Sequence, residues 1–194
     1  MKHPIDTIKS FATLTPEGEQ RLRNAMRERS FARGERITGA ATLASRAFFI
    51  ITGAARVCFM HGGKDHTISF AFDEEFVHLS RFGLIREPET IAIEFLEPTR
   101  LLYIPVSVKD ILKEEGTIME NEALLFLNVA LAMHCSLLEE RLYMSQTCKA
   151  PDLYRWAITR FPKLPMVANL TQIASFLGLT RETVYRIHSG NYKK

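Results

Sequence analysis

Leu170-Thr-Gln-Ile-Ala-Ser-Phe-Leu-Gly-Leu-Thr-Arg-Glu-Thr-Val-Tyr-Arg-Ile187 decides the fold of this chain. It reads as two short helices joined by a tight turn. Ala174 is small where two helices cross closely. Gly178 can take the left-handed conformation that ends the first helix. Val184 seals the second helix onto the first, and Ile173, Phe176, Leu177, Leu179 and Ile187 complete the apolar face. Thr180 is a good N-cap for the second helix. Arg181 and Tyr185, and likewise Glu182 and Arg186, are four apart and share a face pointing away from the apolar seam. Arginine reads a guanine edge bidentately and glutamate accepts from cytosine. A helix-turn-helix puts its second helix in a major groove. The plainer alternative is two packed helices with a solvated charged face. The joint spacing of Ala174, Gly178 and Val184, with the Thr180 cap and paired arginines, favours DNA.

Charge supports that reading. The 194 residues carry a formal net charge of only +3. From Cys148 onward, however, eight Lys/Arg face two Asp/Glu, while the first 147 residues hold 17 basic against 20 acidic side chains. The basic excess sits on the segment that would neutralise phosphates. Cys58, Cys135 and Cys148 are scattered, with no Cys-x-x-Cys pair. Neither a zinc ribbon nor a disulfide framework is suggested. No apolar run is long enough to span a bilayer, so a cytoplasmic setting and no membrane partner are expected.

Three segments follow from the pattern. Residues 1–115 are expected to form a sensing β-roll, 116–147 a dimerisation helix, and 148–194 the helix-turn-helix unit. Residues 5–30 look helical, with Pro16 in a first turn after Thr15. Beyond Ser30 short apolar runs alternate with turn signals. These runs are Phe31–Ile37, Ala47–Ile51, Ala55–Met60, His66–Phe72, Thr90–Leu96 and Arg100–Ile104. His61-Gly62-Gly63-Lys64-Asp65 is a hairpin signal. Asp73-Glu74-Glu75 reads as a solvated turn. The class is α+β, built on an antiparallel jelly roll. Met119 to Met144 runs without proline or glycine, and its wide apolar stripe (Ala123, Phe126, Leu127, Ala130, Leu131, Met133, His134, Leu137, Leu138, Leu142) exceeds what one small roll can cover. The same helix of a second copy is the simplest partner. Lys149-Ala-Pro151 breaks it, and a helix from Asp152 to Phe161 follows.

This order of elements, with Thr180-Arg181-Glu182-Thr183-Val184-Tyr185-Arg186 as its strongest motif, resembles the cyclic-AMP receptor protein and FNR (Crp/Fnr) family of bacterial transcription regulators. Gly34, Gly39, Gly53 and Gly62-Gly63 fall where the family keeps its roll turns. The resemblance implies a homodimer on a palindromic operator, modulated by a small effector in each roll, with RNA polymerase as a further partner. It implies DNA contacts from Asn169, Thr171, Gln172, Thr180, Arg181, Glu182, Thr183, Tyr185 and Arg186, with Lys193 and Lys194 reaching phosphates.

The departures are equally informative. Phe76-Val77-His78-Leu79 matches the run into the nucleotide site of cyclic-nucleotide-binding members, but His78-Leu79 replaces Gly-Glu. Glu89-Thr90 stands where Arg-Ser would hold the phosphate. A carboxylate repels a phosphate, and leucine cannot accept from a ribose hydroxyl. Cyclic AMP and cyclic GMP are therefore not expected to bind. No cysteine precedes Cys58, so the iron–sulfur chemistry of the oxygen-sensing branch lacks its ligands. His78 lies one place from the histidine of a haem-binding branch, with His134 near it, but packed histidines are commoner than ligands and no resident cofactor or metal is expected. Phe70, Phe72, Phe76, His78, Leu79, Glu89, Thr90, Phe126, Met133 and His134 are the candidate effector-pocket residues. Such a lining suits an apolar or aromatic carboxylate or phenol, anchored by Arg81, Arg86 or His78, and a filled core is the alternative. Only His188–Lys194 follows the recognition helix, too little for the family's β-hairpin wing. That leaves weaker DNA affinity or a shortened chain as expectations. No nucleophile–base pair, metal triad or P-loop marks an enzyme. The competing reading is a ligand-sensing or protein-interaction module without productive DNA binding.

Overall fold

A computed structural model describes residues 3–38, 46–79, 91–105 and 118–192. The N-terminal stretch forms two helices, the second starting at Pro16 after Thr15 as the sequence suggests. In α1 (Pro4–Lys9) the His3 ring accepts from Ile5 N–H, and in α2 (Pro16–Ala25) the Thr15 hydroxyl accepts from Gly18 N–H. The helix expected to reach residue 30 stops at Ala25, and Arg27–Phe31 is strand β1. Arg27 to Ser30 are exposed, so no buried apolar stripe holds them helical, and an antiparallel ladder to the last strand of the roll claims their backbone. The expected strand Phe31–Ile37 is likewise cut by a turn at Gly34 (φ 84°), leaving Arg36–Thr38 as β2.

The roll continues with β3 (Ala47–Thr52), β4 (Ala55–His61), β5 (Lys64–Ala71), β6 (Phe76–His78), β7 (Ile91–Phe95) and β8 (Thr99–Tyr103). They form two antiparallel four-stranded sheets, ordered β1-β8-β3-β6 and β2-β7-β4-β5. Gly62 (φ 56°) and Gly63 (φ 74°) close the β4–β5 hairpin between paired His61 and Lys64. Two successive positive φ angles make the type I′ turn that matches strand twist. At Gly53 (φ 121°) the chain passes so close to Thr99 that an added Cβ would lie 2.7 Å from the Thr99 Cα.

Five helices follow among the described residues: α3 (Ile118–Thr147), α4 (Ala150–Arg160), α5 (Leu164–Val167), α6 (Leu170–Leu177) and α7 (Arg181–His188). The single-turn α5, between the expected proline break and the helix-turn-helix, has no counterpart in the sequence reading. Packed clusters organise the molecule. The roll interior holds Phe48, Ile50, Val57, Ile93, Phe95 and Leu101. Outside the first sheet, Ile5, Ile8 and Leu22 of α1 and α2 meet Phe49, Phe76, Phe126 and Ala130. A third cluster joins Phe70 and Phe72 of the roll segment to Leu153, Phe161, Ile173, Phe176 and Val184. Because this third cluster packs α6 directly on β5, the C-terminal helices dock on the roll.

Candidate nucleic-acid interface

The local chemistry of α6 and α7 follows their sequence closely. Asn169 caps α6: its Oδ1 accepts from Gln172 N–H at 3.0 Å, and Gln172 Oε1 accepts from Asn169 N–H at 3.0 Å. Gly178 ends the helix in the left-handed region at φ 67°. The Thr180 hydroxyl then accepts from Thr183 N–H at 3.1 Å and lies 2.8 Å from the Thr183 hydroxyl. Val184 is fully buried between the helices, with Ala174 and Phe176 in the same packed cluster.

Three side chains on the expected DNA-facing surface serve these caps. Asn169, Gln172 and Thr180 hold helix ends, so their first role is to fix the pose of α6 and α7. Arg181, Glu182, Tyr185 and Arg186 are exposed, while Thr183 is half-buried. Arg186 Nε donates to Glu182 at 3.0 Å along the helix. Binding to bases or phosphates must exchange that exposed pair, which is weak in water. Asn169, Thr171 and Arg181 meet on one cleft of about 420 Å³, walled by Tyr154, Pro165, Ile173 and His188. The start of α6 and the start of α7 therefore open on the same space, with a cation on its wall. Lys193 and Lys194 lie outside the described residues.

Sequence reading missed the contacts that orient this unit. The Tyr154 hydroxyl and the His188 Nδ1 lie 2.8 Å apart and tie α4 to the end of α7. Arg141 of α3 donates to the Ile68 carbonyl at 2.7 Å and to the Phe176 carbonyl at 3.3 Å. Burial lowers its pKa, yet the two carbonyls accept from its cation. Thr67 N–H donates to the Ser175 hydroxyl at 2.9 Å. These pairs are separated by up to 108 residues, so no local pattern announces them. The Asp73-Glu74-Glu75 turn is half-buried rather than simply solvated. Arg160 pairs with Glu75 at 2.8 Å and Lys163 with Asp73 at 2.6 Å, raising the lysine pKa. The Asp73 carboxylate also accepts from Gly53 N–H at 2.6 Å.

Among the described residues the apolar side chains of the expected effector pocket fall into three packed clusters. Phe70 stacks edge-on against Phe176 at 5.2 Å and Phe72 packs on Phe161 at 5.3 Å, both at the junction with the C-terminal helices. Phe76 meets Phe126 at 5.1 Å outside the first sheet, with Met133 packed against that cluster, while Leu79 belongs to the roll interior. Glu89, Thr90, Arg81 and Arg86 lie outside the described residues.

His78 and His134 do come together, with ring centroids 4.5 Å apart where β6 meets α3. His78 is 4% exposed, and neither ring nitrogen has a hydrogen-bond partner among the described residues. Burial lowers both imidazole pKa values, that of His134 to about 4, with the His78 and Arg141 charges adding to the effect. The site does not fit a haem: a macrocycle would have to part β6 from α3 to reach the His78 ring. Among the described residues no cluster of three metal-ligating side chains is present.

The fold was compared with solved structures. It superposes on the c-di-GMP-responsive global regulator CLP of Xanthomonas campestris with a TM-score of 0.60, at 13% identity over 91% of each chain. The chain has the Crp/Fnr fold. FixK2 of Bradyrhizobium japonicum matches with a TM-score of 0.59 and 22% identity over 85% of this chain and 83% of that one. A Crp/Fnr-family transcriptional regulator of Thermus thermophilus matches at 0.55, with 16% identity over 84% of each chain. No protein-family model and no curated protein sequence matches the chain. CLP is a regulator of virulence gene expression, and the Thermus thermophilus protein is a transcriptional regulator. Among the described residues no helix is long and apolar enough to cross a membrane.

Proposed function

We propose that this protein is a dimeric, sequence-specific DNA-binding transcription regulator that answers to a small effector other than a cyclic nucleotide. The observation that carries this reading is the outer face of α7. Its inner side is closed by fully buried Val184, while Arg181, Glu182, Tyr185 and Arg186 stand exposed on a helix capped at Thr180. A short, rigidly docked helix with exposed bidentate donors fits a major groove about 12 Å wide. Arg181 and Tyr185 on one stripe and Glu182 and Arg186 on the next would face base edges. The cleft that Asn169 and Thr171 share with Arg181 suits a backbone phosphate, because N–H groups at the start of α6 and a guanidinium both favour an anion.

The effector part rests on His78 and Leu79. Leu79 lies in the roll interior among apolar neighbours and offers no acceptor to a ribose hydroxyl. Calorimetric titration with cyclic AMP or cyclic GMP is expected to give no heat of binding, and micromolar affinity would overturn this part. The DNA part is tested by fluorescence anisotropy on a duplex selected from a randomised pool. Arg181→Ala should weaken binding roughly 10- to 100-fold and relax base preference at one position of each half-site. Unchanged affinity and preference would remove Arg181 from the interface.

A further inference from the structure

The last residue of α7 is held by a side chain from outside the helix-turn-helix. Tyr154 of α4 is 5% exposed, and its hydroxyl lies 2.8 Å from His188 Nδ1. Burial raises the phenol pKa, so the hydroxyl keeps its proton and donates it. A donor at Nδ1 makes that nitrogen the acceptor, and the neutral ring then carries its proton on Nε2. His188 itself is exposed, so Nε2–H is open to an acceptor from outside. His188 and Arg181 are seven apart and share one face of α7, about 10 Å apart along its axis. Both line the cleft of about 420 Å³, and among the described residues no carboxylate does. The cleft therefore carries a donor from each end of α7 and no charge that repels an anion.

We propose that His188 binds a backbone phosphate of the DNA through Nε2–H, and that Tyr154 is the positioning residue that fixes its ring and tautomer for that contact. The proposal rests on the DNA reading above and adds a contact at the opposite end of α7 from its Thr180 cap, set from α4. A neutral imidazole supplies a hydrogen bond without a full charge. It helps to place the duplex, carries no base information and releases no counterion. Arg181, a cation on the same cleft, does release one. The two side chains should therefore leave different marks when removed: Arg181 on the salt dependence, His188 on affinity alone. Tyr154 is too buried to touch DNA, so the effect of its hydroxyl passes through His188.

The test titrates the full chain into a labelled duplex selected from a randomised pool, at pH 8, where an ordinary imidazole is neutral. His188→Ala should weaken binding roughly 10-fold and Tyr154→Phe roughly 3-fold, on every sequence alike and with the salt slope unchanged. The double variant should bind no worse than His188→Ala, because the hydroxyl acts only through the ring. His188→Gln, whose amide N–H stands in for Nε2–H, should recover most of the affinity. Circular dichroism checks the fold of Tyr154→Phe, and the exposed His188 variants decide the phosphate contact independently of it. Additive losses in the double variant, or a base preference altered by Tyr154→Phe, would mean that Tyr154 sets the pose of α7 instead and would overturn the proposal. A salt slope that falls by about one with His188→Ala would make the ring a cation and overturn the tautomer. Wild-type binding that neither single variant changes removes this contact and leaves the DNA reading standing. A wild-type chain that holds no duplex removes both.

Discussion

Two helices of this molecule leave opposite kinds of surface open. The outer face of α7 presents Arg181, Glu182, Tyr185 and Arg186, whereas the outer face of α3 presents Leu131, Cys135 and Leu142. Both helices are fixed from behind by buried residues, Val184 in one and Phe126 and Ala130 in the other. The difference teaches what each face is for. A cationic, hydrogen-bonding surface gains nothing from an apolar partner, and an open leucine stripe gains nothing from a polyanion. On the proposed function, one face meets phosphate and base edges and the other a second copy.

Perturbations should separate these faces from the scaffold, with the largest effect at the junction that supports both. Phe176 is 2% exposed and contacts Phe70, Phe161 and Trp156. Phe176→Ala is expected to cost about 3–5 kcal/mol in chemical denaturation, with DNA binding and dimerisation lost together. Leu131→Lys/Leu138→Lys should leave the fold intact by circular dichroism but raise the dimer dissociation constant by roughly 100-fold or more in sedimentation equilibrium. Arg181→Ala should do the reverse, retaining the dimer while weakening duplex binding.

The His78–His134 contact links α3 to the roll and gives a pH signature. Both imidazoles bind a proton less readily folded than unfolded. Between pH 6.5 and about 4 the unfolded chain therefore holds more protons, so stability rises with pH through that window and is complete above it. Thermal melts should show a lower Tm at pH 5 than at pH 7, and His134→Gln should flatten that dependence. The smallest effect is expected from Glu182→Ala, which breaks only the exposed pair with Arg186. Its Tm should shift by no more than about 1–2 °C, while any change in base preference would report on Glu182 itself.

The two faces also differ in how far the sequence alone reveals them. The Thr180 cap, the Gly178 turn and the burial of Val184 are decided within a dozen residues, so local pattern suffices for α7. The hairpin at Gly62-Gly63 is readable for the same reason. β1 reads as helix in the sequence because pairing with β8, more than 60 residues away, sets its backbone. Phe70, Phe76 and Leu79 enter different packed clusters, a division set by how the two sheets and the helices stack rather than by spacing along the chain. Arg141, Tyr154 and Ser175, which fix the pose of the helix-turn-helix, act over distances in the chain that no spacing rule reaches. The apolar stripe of α3 is visible in the sequence, but only burial by its own subunit divides it into an inner face and an open seam.

The most direct test of the central claim is selection of bound duplexes from a randomised pool by the purified protein, followed by salt titration of the recovered sites. The account predicts enrichment of a two-fold-symmetric site with half-site centres about 34–36 Å apart. It also predicts affinity that falls steeply as salt rises. A folded dimer that enriches no sequence and holds no duplex even at low ionic strength would contradict it.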